Sequence, residues 1–319
     1  MSLILASGRR RNRQQFAGVP VLSGVERQTV PDITLGAPGT WDATDINNPN
    51  VIWDAANARW VMYYTGYYNV PNDGNQDAGL AYAPSLDGPW TKDPLNPVFV
   101  DASAGQWSQN GGMEKVGATW VLAYNAAGGS AVWFATSTDL HEWTKLAATF
   151  DGGDPFLRVN QNSGALECYY WRSSPRHIYR RSSTDAGATW GAEVHVLDPA
   201  PVAYNMQNGG EPSVFVPPGR EGEVMLVVVD YFPDGSLSAG RGSILAATED
   251  GGTTWTWHEN WWRKSGAASG WDSKSVFDTF MAWEAGRFYL YYAGTGVTDS
   301  GTLNMGIQIG HVSVPWPPA

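Results

Sequence analysis

The chain has 319 residues, of which 43% are hydrophobic and 16% charged, so it has ample material for a core and no disordered bulk. A net charge of −11 argues against nucleic acid or an anionic membrane as the main partner, since both need a basic footprint, and no run reaches transmembrane length. The single cysteine, Cys168, excludes an intrachain disulfide and a thiolate metal cluster, and its neighbours Leu166, Tyr169 and Tyr170 mark it as a buried inert thiol.

Residues 1–18 form a short apolar start followed by Arg9, Arg10, Arg11 and Arg13. The basic residues follow the apolar run, which is too short for a signal h-region, so no secretion signal is read. A flexible or attachment arm is expected there. From residue 19 to residue 319 the texture is uniform. Short β-rich runs such as Trp60–Thr65, Val121–Tyr124, Val224–Val229 and Phe288–Tyr292 alternate with turns rich in Gly, Asn, Asp and Pro. No amphipathic helical stretch of useful length interrupts them, and the chain reads as all-β.

Two repeated signals organise these strands. The first is a turn that ends in tryptophan: Ser85 to Trp90, Ser137 to Trp143, Ser183 to Trp190 and Thr248 to Trp255. The last two fit the Asp-box pattern, Ser/Thr-x-Asp-x-Gly-x-Thr-Trp, in which the aspartate caps a hairpin tip, glycine takes positive φ and tryptophan plugs the space below. These aspartates are therefore read as structural. The second signal is a polar residue at the mouth of a strand: Asn48, Asn110, Asp154, Glu211 and Asp278, spaced 62, 44, 57 and 67 residues apart. Asp154 and Glu211 each precede a proline, which fits a strand's first residue and pushes its predecessor into extended geometry. Trp41-Asp42-x-x-x-Ile46-x-Asn48 also aligns with Trp271-Asp272-x-x-x-Val276-x-Asp278.

Five units of about four strands predict a five-bladed β-propeller with a central substrate funnel. The five mouth positions would ring one end of that funnel. The fifth unit is one strand short, and a segment near Val19–Leu22 is expected to close the ring. Most of the 17 Trp, 14 Tyr and 10 Phe are read as core and strand aromatics, with sugar stacking kept for the few near a pocket.

The pattern resembles the superfamily of glycoside hydrolase families 43 and 32 (arabinanases, arabinofuranosidases, xylosidases and β-fructosidases). The Asp-Pro at 154, the Glu-Pro at 211 and the first-blade run Asn48-Pro49-Asn50-Val51-Ile52 carry the likeness. The resemblance implies hydrolysis of a polysaccharide or oligosaccharide, with arabinan and other furanosides favoured. Glu211 matches the general acid, and Asp154 matches the residue that tunes its pKa and binds sugar hydroxyls. The sequence departs from these families at Asn48, where they carry the base or nucleophile. A neutral amide performs neither role, so Asp278, Asp45 or Asp42 is expected to replace it, with Asp278 favoured by blade position. Asn48, Asn110, Trp41 and Trp271 complete the substrate-binding set.

An inverting pair needs its carboxyls ~6.5–9.5 Å apart and a retaining pair ~5–5.5 Å. The contrasting reading is a carbohydrate-binding propeller without turnover, for example a phage-tail or surface attachment module. On that reading the carboxylates hydrogen-bond adjacent loops or hold a structural calcium ion in the channel. No cofactor is required for hydrolysis. His141, His177, His195, His258 and His311 lack metal-ligand spacing, so no zinc site is expected. Gly111-Gly112 and Gly251-Gly252 fit turns, and the arginines of the third blade (Arg158, Arg172, Arg176, Arg180, Arg181) fit its surface or rim, where one of them could hold a sugar hydroxyl or carboxylate. A cytoplasmic or virion-associated setting is expected, with the basic arm as the route to any virion or assembly partner.

Overall fold

A computed structural model describes residues 19–22, 25, 27–70, 73–101, 109–126, 131–172, 176–198, 210–231, 241–263, 270–296 and 306–316. The expected arm, residues 1–18, lies outside the described residues, as does the side chain of Asn110. No helix of the described residues is long and apolar enough to cross a membrane.

The strands fall into five antiparallel sheets taken in chain order. The first holds β1 (Asp45–Asp54), β2 (Arg59–Val70), β3 (Asp73–Ala83) and β4 (Thr91–Lys92). The second holds β5 (Gln109–Val116), β6 (Thr119–Ala126), β7 (Ala131–Ser137) and β8 (Thr144–Asp151). In the third are β9 (Gly153–Val159), β10 (Leu166–Arg172), β11 (His177–Ser183) and β12 (Val194–Leu197). The fourth contains β13 (Ser213–Phe215), β14 (Met225–Tyr231), β15 (Gly242–Thr248) and β16 (Thr256–Arg263). The fifth contains β17 (Ser275–Glu284), β18 (Arg287–Thr295) and β19 (Gln308–Pro315). Each sheet runs from its first strand outward, and the first strands touch in the cycle β1, β5, β9, β13, β17 and back to β1. This is a five-bladed β-propeller with the first strands innermost.

Apolar faces meet between neighbouring blades. Ile52, Val61, Leu80, Met113 and Leu122 join the first blade to the second. Val121, Phe134, Leu157, Leu166 and the inert Cys168 join the second to the third. Leu226, Val228, Met281 and Leu290 join the fourth to the fifth. Each half-buried sheet thus covers both faces by stacking, and radial closure leaves few free edges.

The turns ending in tryptophan lie between the third and fourth strands of blades one to four. Asp185 accepts from the Thr189 N–H and hydroxyl at 2.9 and 2.6 Å, and Asp250 accepts from those of Thr254 at 2.9 and 2.7 Å. Trp190 then stacks on Phe134 of the preceding blade at 4.7 Å. Ring closure differs from expectation. Val19–Leu22 does not supply a fourth strand; Leu22 packs with Trp261 and Trp262, and the Pro20 carbonyl accepts from the Trp261 indole N–H at 3.0 Å. The pairing on β19 comes later, as a single bridge between Ile33 and Ile309.

Candidate active site

The polar mouth positions are bulges rather than strand starts. The β1–β2 register skips between Asn47 and Asn50, β5–β6 between Gln109 and Gly112, and β17–β18 between Phe277 and Phe280. On β9, Gly153 pairs with Trp171 and Phe156 with Tyr169, which leaves Asp154 and Pro155 bulged. Asn48, Asp154 and Asp278 take the left-handed conformation, with φ of 52°, 50° and 49°. A bulge of this kind bends the strand and re-aims a side chain, and asparagine and aspartate accept positive φ most readily. Only Glu211 fits the expected geometry, since it and Pro212 directly precede β13.

The result is one pit at a mouth of the channel, lined by Asn48, Asn50, Asp154, Glu211, Asp278 and Phe280 with their neighbouring prolines, Gly111 and Thr279. Asn50, Phe156 and Phe280 also line a second cavity deeper in the channel and so stand between the two. Gly111 and Gly112 are not in a turn: a Cβ on Gly112 would lie 2.8 Å from the Leu157 nitrogen, so glycine is what lets β5 approach β9 here.

Asp154 is held from several sides. The Asn125 amide donates to its Oδ1 at 2.9 Å, and the Trp171 indole N–H donates to its Oδ2 at 2.5 Å. The Arg176 guanidinium stands 4.0 Å from that Oδ2 and 3.7 Å over the Trp171 ring. Trp171 is therefore covered on one face, while Gly153 and Gly210 make room at its edge. Desolvation pulls the Arg176 pKa below its ordinary value.

Asp278 is 3% exposed. Neither of its carboxylate oxygens has a hydrogen bond of normal geometry; the Asn48 N–H and Asn47 amide approach it only loosely. Burial, and then the charge of Asp154, push its pKa well above the usual carboxylate range. Its backbone N–H donates to Asp230 Oδ2 at 2.6 Å, and the Ser243 hydroxyl donates to Asp230 Oδ1 at 3.0 Å. Asp230, on β14, is fully buried, and desolvation raises its pKa to about 7 despite the nearby Arg241. Glu211, Asp230 and Asp278 each bring one oxygen within 4.8 Å of the other two.

Other expected site residues lie elsewhere. Asp45 is 1% exposed and accepts the Ile307 N–H at 2.9 Å, tying the first blade to the fifth, and does not line the pit. Asp42 pairs with Lys92 at 2.5 Å. Trp41 and Trp271 do not line the pit either; they are packing wedges. A Cβ on Gly66 or Gly79 would lie 2.2 or 2.3 Å from the Trp41 ring, and one on Gly294 or Gly310 2.7 or 2.6 Å from the Trp271 ring. Their shared sequence pattern records a shared blade architecture. Asn110 sits at the β5 bulge, with its side chain outside the described set. Arg158 is buried against Glu167 at 2.6 Å and against Glu221, not on the surface. Two histidines do meet: His177 Nδ1 and His195 Nε2 are 3.3 Å apart on adjacent strands, with Asp198 beside them.

Asn125 and Arg176 against Asp154, and Asp230 against Asp278, are unexpected parts of the site. Asn125 and Asp230 had a signal: each is the polar residue that ends an apolar second-strand run, Val-Leu-Ala-Tyr-Asn and Leu-Val-Val-Val-Asp.

No protein-family model matches the sequence. Among solved structures the chain is similar to the α-L-arabinofuranosidase of Podospora anserina in complex with cellotriose (TM-score 0.63, 13% identity, covering 89% of this chain and 94% of that one). It is similar to the catalytic domain of a family-62 α-L-arabinofuranosidase of Coprinopsis cinerea (TM-score 0.64, 13% identity, 91% and 100%). It is also similar to an N-acetylgalactosamine deacetylase from F. plautii in complex with blood group B trisaccharide (TM-score 0.63, 15% identity, 91% and 94%). At these identities the likeness establishes the fold, the five-bladed propeller on which glycoside hydrolases and this deacetylase are built, and function rests with the site.

Proposed function

We propose that this protein is a glycan-directed hydrolase that cleaves a furanoside-type polysaccharide or oligosaccharide at the pit. The observation that carries this reading is the convergence of Asp154, Glu211 and Asp278 on one channel mouth from three different blades. Glu211 is the proton donor to the leaving group. Asp154, fixed by Asn125 and Trp171, orients sugar hydroxyls. The arabinofuranosidase neighbours and the first-blade likeness support the furanoside class.

Asp278 fits the inverting base poorly. Its nearest oxygen lies within 4.8 Å of Glu211, whereas an intervening water needs ~6.5–9.5 Å between carboxyls. A second reading, glycan binding without turnover, is favoured by Asn48, whose amide occupies the first-blade position and leaves its Oδ1 buried without a partner. A phage-tail or surface attachment module, reached through the N-terminal arm, is the setting that reading suggests.

Arabinans, fructans and xylans assayed in EDTA decide between the two. Hydrolysis is expected from the wild type and a loss of about 10²–10⁴-fold from Glu211→Gln, the contribution of a positioned acid. Turnover that survives Glu211→Gln removes the acid assignment. Glycan binding with no product by mass spectrometry selects the second reading.

A further inference from the structure

The outer edge of the third blade holds a group of side chains that neither the pit nor the blade cores use. His177 opens β11, His195 lies on β12 and Asp198 follows directly after β12. The β11–β12 register pairs Ile178 with Leu197 and Tyr179 with His195, so Val196 is the extra residue of a bulge. His195 therefore stands diagonally across from His177, on the sheet face that Tyr179 shares with both. His177 Nδ1, His195 Nε2 and Asp198 Oδ1 form a triangle with sides of 3.3, 3.3 and 3.2 Å. None of the three residues lines the pit.

Hydrogen bonding alone does not account for this triangle. If both nitrogens carry hydrogens, both can donate to Asp198, but they then face each other as two donors. If either lacks its hydrogen, its lone pair faces those of the carboxylate or of the other ring. Every such assignment sets like against like along one edge. A cation that accepts a lone pair from all three atoms removes the conflict. Tetrahedral zinc, with bonds of ~2.0–2.1 Å, places its ligand atoms ~3.3–3.4 Å apart, which is the spacing of this triangle. An octahedral or square-planar ion with bonds of that length needs ~2.8–3.0 Å. Calcium's longer bonds also fit the spacing, but calcium takes oxygen ligands, whereas two imidazoles and a carboxylate suit zinc. The side chains of His177, His195 and Asp198 are 29%, 46% and 78% exposed, so the fourth position faces solvent. We propose that His177, His195 and Asp198 form a tetrahedral zinc site on the outer edge of the third blade, with its fourth position open to water.

The site is read without turnover, so it stands or falls apart from the hydrolase reading. Full-length protein stripped with EDTA and dialysed is titrated with zinc by calorimetry, and with cobalt(II) by visible absorption. Zinc is expected to bind with micromolar or tighter affinity that millimolar calcium does not reduce. Cobalt is expected to show the intense visible bands of tetrahedral coordination. His177→Ala and His195→Ala are each expected to weaken zinc binding by about tenfold or more, as loss of one of three ligands requires. His195 is the more exposed of the two, so His195→Ala carries the test if His177→Ala does not fold. His258→Ala, on β16 of the fourth blade, is expected to leave binding unchanged. Absence of binding at sub-millimolar zinc, affinity indifferent to His195→Ala, an octahedral cobalt spectrum, or binding lost in His258→Ala overturns the proposal.

Discussion

Asn48, Asp154 and Asp278 share more than a place in the ring, because all three hold the left-handed backbone that a bulge demands. Such positions cost a non-glycine residue about 1–3 kcal/mol and persist where the surroundings over-determine them. Two of the three are aspartate and one is asparagine, near-isosteres that tolerate the same φ. The left-handed backbone therefore accepts either residue at position 48, and the choice between them changes the chemistry of the pit. Asn48→Asp is expected to keep the bulged backbone and to place a carboxylate on the first-blade side of the pit, beside Asp278. If the missing base limits turnover, hydrolysis of the best glycan rises about 10²-fold, the lower end of a positioned base's contribution. An unchanged rate with an unchanged circular dichroism spectrum means that another group already serves as base.

Among the elements, the Asp-box hairpins show aspartates with a purely structural task. Hydrogen bonds from Thr189 and Ser183 hold Asp185 at a pKa of about 2, and those from Thr254 and Thr248 hold Asp250 at about 2. An unfolded aspartate titrates near ~3.9, so the folded state prefers the ionised form. The stabilisation is complete above that value and disappears as pH falls through about 2. Urea midpoints measured from pH 5 to pH 2 are expected to fall less steeply in an Asp185→Asn, Asp250→Asn double variant than in the wild type. Equal slopes would mean that these carboxylates carry no linkage. These hairpins were legible in the sequence because a local turn writes its whole hydrogen-bond pattern into eight consecutive residues. The bulges were not, because proline is equally at home at a strand's first residue and at a bulge, and the spacing of polar residues fits both. Asp230 and Asn125, on second strands, and Arg176, just before β11, meet Asp278 and Asp154, a juxtaposition made by the fold rather than by any spacing along the chain.

For the whole molecule, the question is what closes a ring whose last blade has three described strands. The single Ile33–Ile309 bridge is a small connection for that task. Arg27 supplies a stronger one. Its guanidinium meets Asp272 of the fifth blade at 2.5 Å and lies 3.9 Å over Trp262 of the fourth, so one side chain joins the N-terminal segment to two blades. The first blade has the same device in a local form: Asp42 pairs with Lys92 at 2.5 Å, and both belong to that blade. Asp42 and Asp272 are both buried, so removing either cation strands a carboxylate. A fully buried broken pair costs ~3–5 kcal/mol, and partial exposure of the cation reduces that. Arg27→Ala is expected to cost about 2–3 kcal/mol, since the charge, the ring contact and the closure are lost together. Lys92→Ala, whose lysine is more exposed and closes nothing, is expected to cost about 1 kcal/mol. Urea unfolding of the two variants side by side measures the difference. If Arg27→Ala unfolds at the same midpoint as Lys92→Ala, the ring is held by its inter-blade cores alone and the N-terminal segment is only draped across the seam.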